Sequence, residues 1–173
     1  MKQFYTLLTI LLLLTFNAFA SYHPKGLYIL EYPVSMPNLT LTDENNITSP
    51  ILDTSSNLTI FVFWSKSCHP CLKEMKSLEK LYQKATKDNI SIKLISSSNE
   101  WSTPTEVRLF LTKFGAPSIP FYQDPNNSLS LSLGIGSTPY TVIMDNNGKK
   151  VATIQGSISW NNKLYQQIKS LIK

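Results

Sequence analysis

Cysteine is almost missing from this chain of 173 residues: there are two, both in the tetrapeptide Cys68-His69-Pro70-Cys71. Without a second cysteine pair a structural zinc site lacks half of its four ligands, and His69 lies too close to the sulfurs to complete a tetrahedron. The other histidine, His23, is far upstream. No metal is therefore expected. The sequence also has no Cys-x-x-Cys-His, which excludes covalent attachment of a c-type haem. A run of five or more like charges is absent too, so no nucleic-acid-binding arm is expected despite a formal net charge of +5. Internal repeats are lacking, and beyond the first twenty residues no apolar run could cross a bilayer. What remains is an ordinary globular composition, 42% hydrophobic and 16% charged, sufficient for one core and one domain. The lysines, spread over predicted helices and termini, read as a solubility feature with a bias towards acidic partners or a membrane surface.

The first twenty residues stand apart. Lys2 is followed by an apolar stretch centred on Leu7 to Leu14 and then by Ala18-Phe19-Ala20, the three regions of a secretion signal. Cleavage before Ser21 would release a periplasmic or otherwise extracytoplasmic protein, where disulfides persist and are common in clients. The rival reading is an uncleaved anchor, Phe4 to Phe19, slightly short of the ~17 to 25 residues of a span.

The two cysteines follow the apolar, β-branched and aromatic run Leu58 to Trp64, which reads as a central strand covered on both faces. A helix-period stretch comes next: Leu72, Met75, Leu78, Leu81, Tyr82 and Ala85 form one face, and Lys73, Lys76, Lys80, Lys84 and Lys87 the other. Strand, thiols and helix N-terminus together define a chemistry. Unpaired backbone N–H groups and the positive end of the helix dipole favour a thiolate at the outer sulfur, Cys68. Cys71, one turn on, can close a disulfide with it or resolve a mixed one. A purely structural disulfide is disfavoured, because so short a loop restricts the unfolded chain little.

Elsewhere, Leu39 to Thr42 alternates like a strand and Asp43 to Asn46 reads as a turn. Ile90 to Ile95 returns to strand character, and Val107, Phe110, Leu111 and Phe114 mark a second helix that Gly115 can end. Tyr140 to Met144, the turn Asp145 to Gly148, and Lys149 to Gln155 predict a β-hairpin. A final helix places Trp160, Leu164, Ile168 and Leu171 on one face. Tyr22 to Pro37, with three prolines, receives no assignment. The expected division is therefore residues 1–20 as signal or anchor, 21–36 unassigned and 37–173 as one α/β domain with parallel and antiparallel strands.

From about Pro37 to Gly156 these residues resemble the thioredoxin-like fold, a three-layer sandwich with a mixed parallel and antiparallel central sheet and flanking helices. Within it they resemble the extracytoplasmic thiol-disulfide oxidoreductases of the TlpA, ResA and CcmG type. The pieces that carry the likeness are Pro37 to Asp43, Phe63-Trp64, Cys68-x-x-Cys71, Gly136-Ser137-Thr138-Pro139, and Asp145-x-x-Gly148-Lys149 in that order. The resemblance implies a cis bond before Pro139, facing the dithiol, with the backbone of Thr138 free to pair with a substrate strand. Read without it, Pro139 is an ordinary trans proline at a strand start.

The pattern Cys-x-x-Cys-x-x-Glu is filled by Glu74. At ~100° per residue Glu74 also falls inside the apolar arc of its helix. Burial there would raise its pKa and let it exchange a proton with Cys71; the plainer reading is an acid complementing the helix dipole. Val62 occupies the position where classical thioredoxins keep a buried aspartate, and Ser67 the position where many relatives carry tryptophan. His69 either stabilises the Cys68 thiolate or points into solvent. Pro70 restricts the turn and supplies no N–H where the helix would leave one unpaired. Trp64 is expected as core and site wall.

The function expected is a dithiol reductase of protein disulfides, a monomer with no cofactor beyond its redox-active cysteine pair. The TlpA-like resemblance implies a part in cytochrome c maturation, client proteins bearing disulfides or thiols, and a membrane electron donor of the DsbD or CcdA type. Two other classes remain open. One is a disulfide oxidase or isomerase; the other is a non-catalytic thioredoxin-like module that holds a peptide near Thr138.

Overall fold

The computed structural model describes residues 26–52 and 55–172, so the signal or anchor segment, residues 1–20, and His23 lie outside the described residues. Eight strands form one sheet: β1 (Gly26–Ser35), β2 (Thr40–Asp43), β3 (Thr48–Pro50), β4 (Leu58–Phe63), β5 (Ile90–Ser97), β6 (Phe121–Asp124), β7 (Tyr140–Asp145) and β8 (Lys149–Gln155). Their spatial order is β1-β8-β7-β4-β5-β6-β2-β3. The strand β4 lies at the middle, parallel to β5 and antiparallel to β7. Four helices accompany the sheet: α1 (His69–Ala85), α2 (Pro104–Lys113), α3 (Ser128–Ser132) and α4 (Asn162–Lys169).

Every residue of β4 is buried, as a strand with protein on both faces requires. Because successive side chains point to opposite faces, Ile60 and Val62 enter one core and Phe61 and Phe63 the other. The first core joins the sheet to α1, α2 and α4 through Met75, Leu78, Val107, Leu111, Leu164 and Ile168. The second lies under α3 and the β2–β3 hairpin, with Leu41, Ile51, Ile95, Val142 and Leu129. Three layers result, with the central sheet mixed as expected.

Several expectations needed correction. The unassigned N-terminal stretch supplies β1, an edge strand antiparallel to β8 with a break in register between Ile29 and Val34. Its Pro33 lies inside that break, where a missing N–H costs no ladder bond. The strand β6 was not foreseen either; it is four residues long, too short for a period to show. Trp160 lies before the last helix and not on it, since Asn161 is the cap and its side chain accepts the Leu164 amide at 3.0 Å. Gly115 does end the second helix, with φ +85°, and a Cβ there would lie 3.3 Å from Lys76 Cβ.

A polar tie locks α4 to the end of α1. The Tyr165 hydroxyl donates to Asp88, which also receives Lys169 Nζ at 2.9 Å. Burial, then the Asp88 hydrogen bond and charge, push the Tyr165 pKa up to about 12 from 10.0. The tie to Tyr165, then that to Lys169, holds the Asp88 carboxyl below its usual range. Since the folded state keeps the phenol proton more tightly than the unfolded chain does, this contribution is intact below pH ~10 and disappears between ~10 and ~12. In Tyr165→Phe the loss of stability over that window should be smaller, as read by urea midpoints at each pH.

Candidate active site

Strand β4 ends at Phe63, and the next eight residues build the site. Trp64 N donates to Ile95 O at 2.9 Å, so the chain leaves the sheet still tied to β5. A short loop, Ser65 to Ser67, then turns into α1. Cys68 N donates to Ser65 O at 3.1 Å, and Cys68 is the N-cap of α1. Its sulfur accepts the amide of Cys71 at 3.3 Å. A cysteine in a cap position thus takes the place of the usual Ser or Asp, and the Cys71 N–H that would hold a cap oxygen faces the sulfur. Pro70 falls in the first turn. The two sulfurs are bonded, with the Cα atoms 5.3 Å apart.

Exposure differs along the tetrapeptide. Cys68 is 8% exposed and Cys71 2%, whereas His69 and Pro70 lie open to solvent. An incoming molecule therefore meets Cys68 first.

The Thr138–Pro139 bond is cis. Phe63 pairs with Tyr140, so continuing the register by one residue sets Pro139 opposite Trp64 and Thr138 opposite Ser65. The proline loop and the cysteine loop are adjacent at the same end of the sheet. Pro139 is buried and its carbonyl accepts Gly156 N at 2.9 Å, leaving Thr138 half-buried at the surface. Between the loops opens a cavity of about 300 Å³ lined by Trp64, Ser65, Glu100, Leu131, Gly136 and Thr138 among others.

Trp64 is 2% exposed and lines this cavity, with its ring centroid 5.5 Å from Trp101 and 6.1 Å from Phe110. Its indole Nε1 has no partner, and Val62 beside it offers none. Glu74 is buried, 6% exposed. Its Oε1 accepts Ile158 N at 2.6 Å and its Oε2 accepts Trp160 Nε1 at 3.1 Å. The carboxylate thereby ties the helix that carries the thiols to the segment before α4. Sequence spacing identified Glu74 but not these partners, which lie more than eighty residues away.

Sequence reasoning missed Glu100 altogether. Its Oε2 accepts Lys66 N at 3.0 Å, while Lys66 Nζ reaches the Glu100 carbonyl and lies 5.2 Å from the Trp101 ring centroid. Glu100 thus fastens the loop that delivers Cys68 to the exit of β5, a link between residues 34 positions apart. Glu100→Ala should leave the fold intact, since Lys66 is exposed and water replaces the lost acceptor. A looser loop should nonetheless slow insulin reduction about threefold to tenfold, because activity depends on how closely the nucleophile is held.

Among the described residues no group of three or more His, Cys, Asp or Glu side chains is placed to hold a metal ion, and no helix is long and apolar enough to cross a membrane.

A mixed sheet, a cysteine pair capping the helix after the central strand, and a cis proline opposite define a thioredoxin-like thiol-disulfide oxidoreductase. Residues 34–168 match the Redoxin family model, and the chain belongs to that family. It is 27% identical over 120 residues to the thiol-disulfide oxidoreductase ResA of Bacillus anthracis, covering 69% of this chain and 67% of that protein. It is 31% identical over 97 residues to the thiol:disulfide interchange protein HelX of Rhodobacter capsulatus, covering 56% of this chain and 51% of HelX. In fold it is similar to a putative thiol:disulfide interchange protein DsbE from Chlorobium tepidum, with a TM-score of 0.69 at 17% identity over 83% of this chain and 99% of that one.

Proposed function

We propose that the protein is an extracytoplasmic dithiol reductase of protein disulfides serving cytochrome c maturation. The observation that carries the reductase chemistry is Cys68 at the cap of α1, its sulfur facing the Cys71 amide and itself the more exposed of the pair. In the reduced protein the Cys68 thiolate attacks one sulfur of a client disulfide. A bond forms from Cys68 to that sulfur, and the other client sulfur leaves as a thiolate. Cys71, losing its proton, then attacks Cys68, the mixed disulfide breaks, and the client leaves with two electrons. Glu74, one helical turn beyond Cys71, is the proposed acceptor of the Cys71 proton. Thr138 is the proposed backbone partner of the client strand, with Pro139 leaving space beside it and Trp64, His69 and Pro70 forming the surrounding surface. An external dithiol donor must restore the pair; we assign this to a membrane protein of the DsbD or CcdA type.

The extracytoplasmic placement is supported by the charged, apolar and Ala-x-Ala succession of residues 1–20. The reductase direction is supported by the TlpA-like resemblance. Thiol chemistry alone leaves direction open, since potentials of such pairs run from roughly −270 mV in thioredoxin to −120 mV in DsbA. Equilibration of Cys68–Cys71 with a dithiothreitol series should give a potential below about −200 mV. A value near that of DsbA would make the protein an oxidase.

A further inference from the structure

The lysine face that helical spacing predicts on α1 is extended by Lys113 of α2, and we propose that this face docks on an anionic lipid surface. The inference goes beyond the reductase reading and does not depend on the direction of electron flow. Lys73, Lys76, Lys80 and Lys84 are exposed on α1 and, at ~100° per residue, fall within an arc of ~80°. Lys87 continues the stripe in the 3-10 turn after the helix, Thr86–Asp88. Across a groove from Lys76 and Lys80 lies Lys113 at the end of α2.

The acids of this layer offset them only in part. Glu74 and Glu79 point inward, each 6% exposed, and Glu79 Oε2 accepts Ser118 N at 3.1 Å. Asp88, held by Tyr165 and Lys169, also acts on Lys84 and offsets that lysine in part. Glu106 accepts the amide of Ser102 at 3.0 Å ahead of α2. A face about 25 Å long, the length of a 17-residue helix, is left with positive charge on its surface.

Lipid is favoured over an acidic protein by where the chain arrives. Lys84 Nζ bonds Asn162 Oδ1 at 2.5 Å, so α4 lies beside α1 in this layer. Gly26 and Leu27, the first described residues, share a cavity of about 390 Å³ with Asn161, Lys163 and Leu164 at the start of α4. The apolar stretch Phe4 to Phe19 ends seven positions earlier in the chain, a reach of at most ~25 Å. A described chain that begins beside the cationic layer, preceded in sequence by an apolar stretch, fits one planar anionic partner. Each lysine near such a surface adds roughly fivefold to the partition coefficient. The dithiol then sits at the end of the stripe, with Lys73 two residues past Cys71.

The test uses the full chain as recovered from the cells that make it, mixed with vesicles of phosphatidylcholine alone or with one third phosphatidylglycerol. Acylation of each lysine by a water-soluble ester is the readout. Lys73, Lys80 and Lys87 should react about tenfold more slowly on the anionic vesicles, Lys149 should not change, and about 0.5 M salt should abolish the difference. The variant K73E/K80E/K87E should bind anionic vesicles at least about a hundredfold more weakly while reducing insulin at the parental rate. Should the variant lose activity, the labelling of the parent decides, and it does so whether or not residues 1–20 remain attached. Equal labelling on both kinds of vesicle overturns the proposal, as does protection produced only by an added acidic protein.

Discussion

Cys68→Ser should reduce insulin no faster than the small-molecule reductant does alone, a loss of about a thousandfold or more. The reason is specific to the cap position. Serine caps a helix at least as well as cysteine, so the fold survives, yet its hydroxyl is not ionised near neutral pH and cannot attack sulfur. The partner substitution has a different signature. With Cys71 replaced by serine, the first exchange proceeds and the second cannot, because Cys71 supplies the only other thiol. Clients should therefore accumulate as mixed disulfides on Cys68, visible on non-reducing gels after acid quench and lost with dithiothreitol. Recovery of none from intact cells, with Cys68 reduced and accessible, would remove the reductase reading and favour the peptide-holding module.

Glu74→Leu should be the most destabilising single change near the site. It fills a similar volume but leaves the buried Trp160 Nε1 and the half-buried Ile158 N without acceptors, and a donor so stranded costs up to ~1–3 kcal/mol. A total of about 3–5 kcal/mol corresponds to a fall in Tm of roughly 10 °C for a chain of this size. Glu74→Gln retains one acceptor, so about half that loss is expected. The glutamine variant also separates the strut from the proton acceptor. If the carboxylate takes the Cys71 proton, resolution of a preformed mixed disulfide should slow about tenfold to a hundredfold while alkylation of Cys68 keeps its rate. Resolution at the parental rate would leave Glu74 with the structural role alone.

The parts of this molecule that were readable in advance share a property: they are set by neighbours along the chain. The burial of Leu58 to Phe63 follows from an unbroken apolar run, α1 from spacings of three and four, and the Asp145 to Gly148 turn from a glycine with φ +71°. Where the local signal was weak, the reading failed. The strand β1 is largely exposed on both faces, so it has no alternation to detect, and it exists because β8 offers it an edge. Trp160 has the right spacing for the last helix but is held outside it by the Asn161 cap and by Glu74.

The site divides along the same line. Sequence alone determined the reactive thiol pair, since a Cys-x-x-Cys at a strand-to-helix junction owes its chemistry to the helix terminus it sits on, a feature within four residues. Only the tertiary structure decided what surrounds the sulfurs: Glu100 fastened to Lys66, Glu74 to the 158–160 segment, and Pro139 opposite Trp64. Those contacts join residues 34 to 86 positions apart. Their pairing is selected by how the sheet and helices pack, through the burial of two cores, and no local spacing encodes which distant donor will face which acceptor.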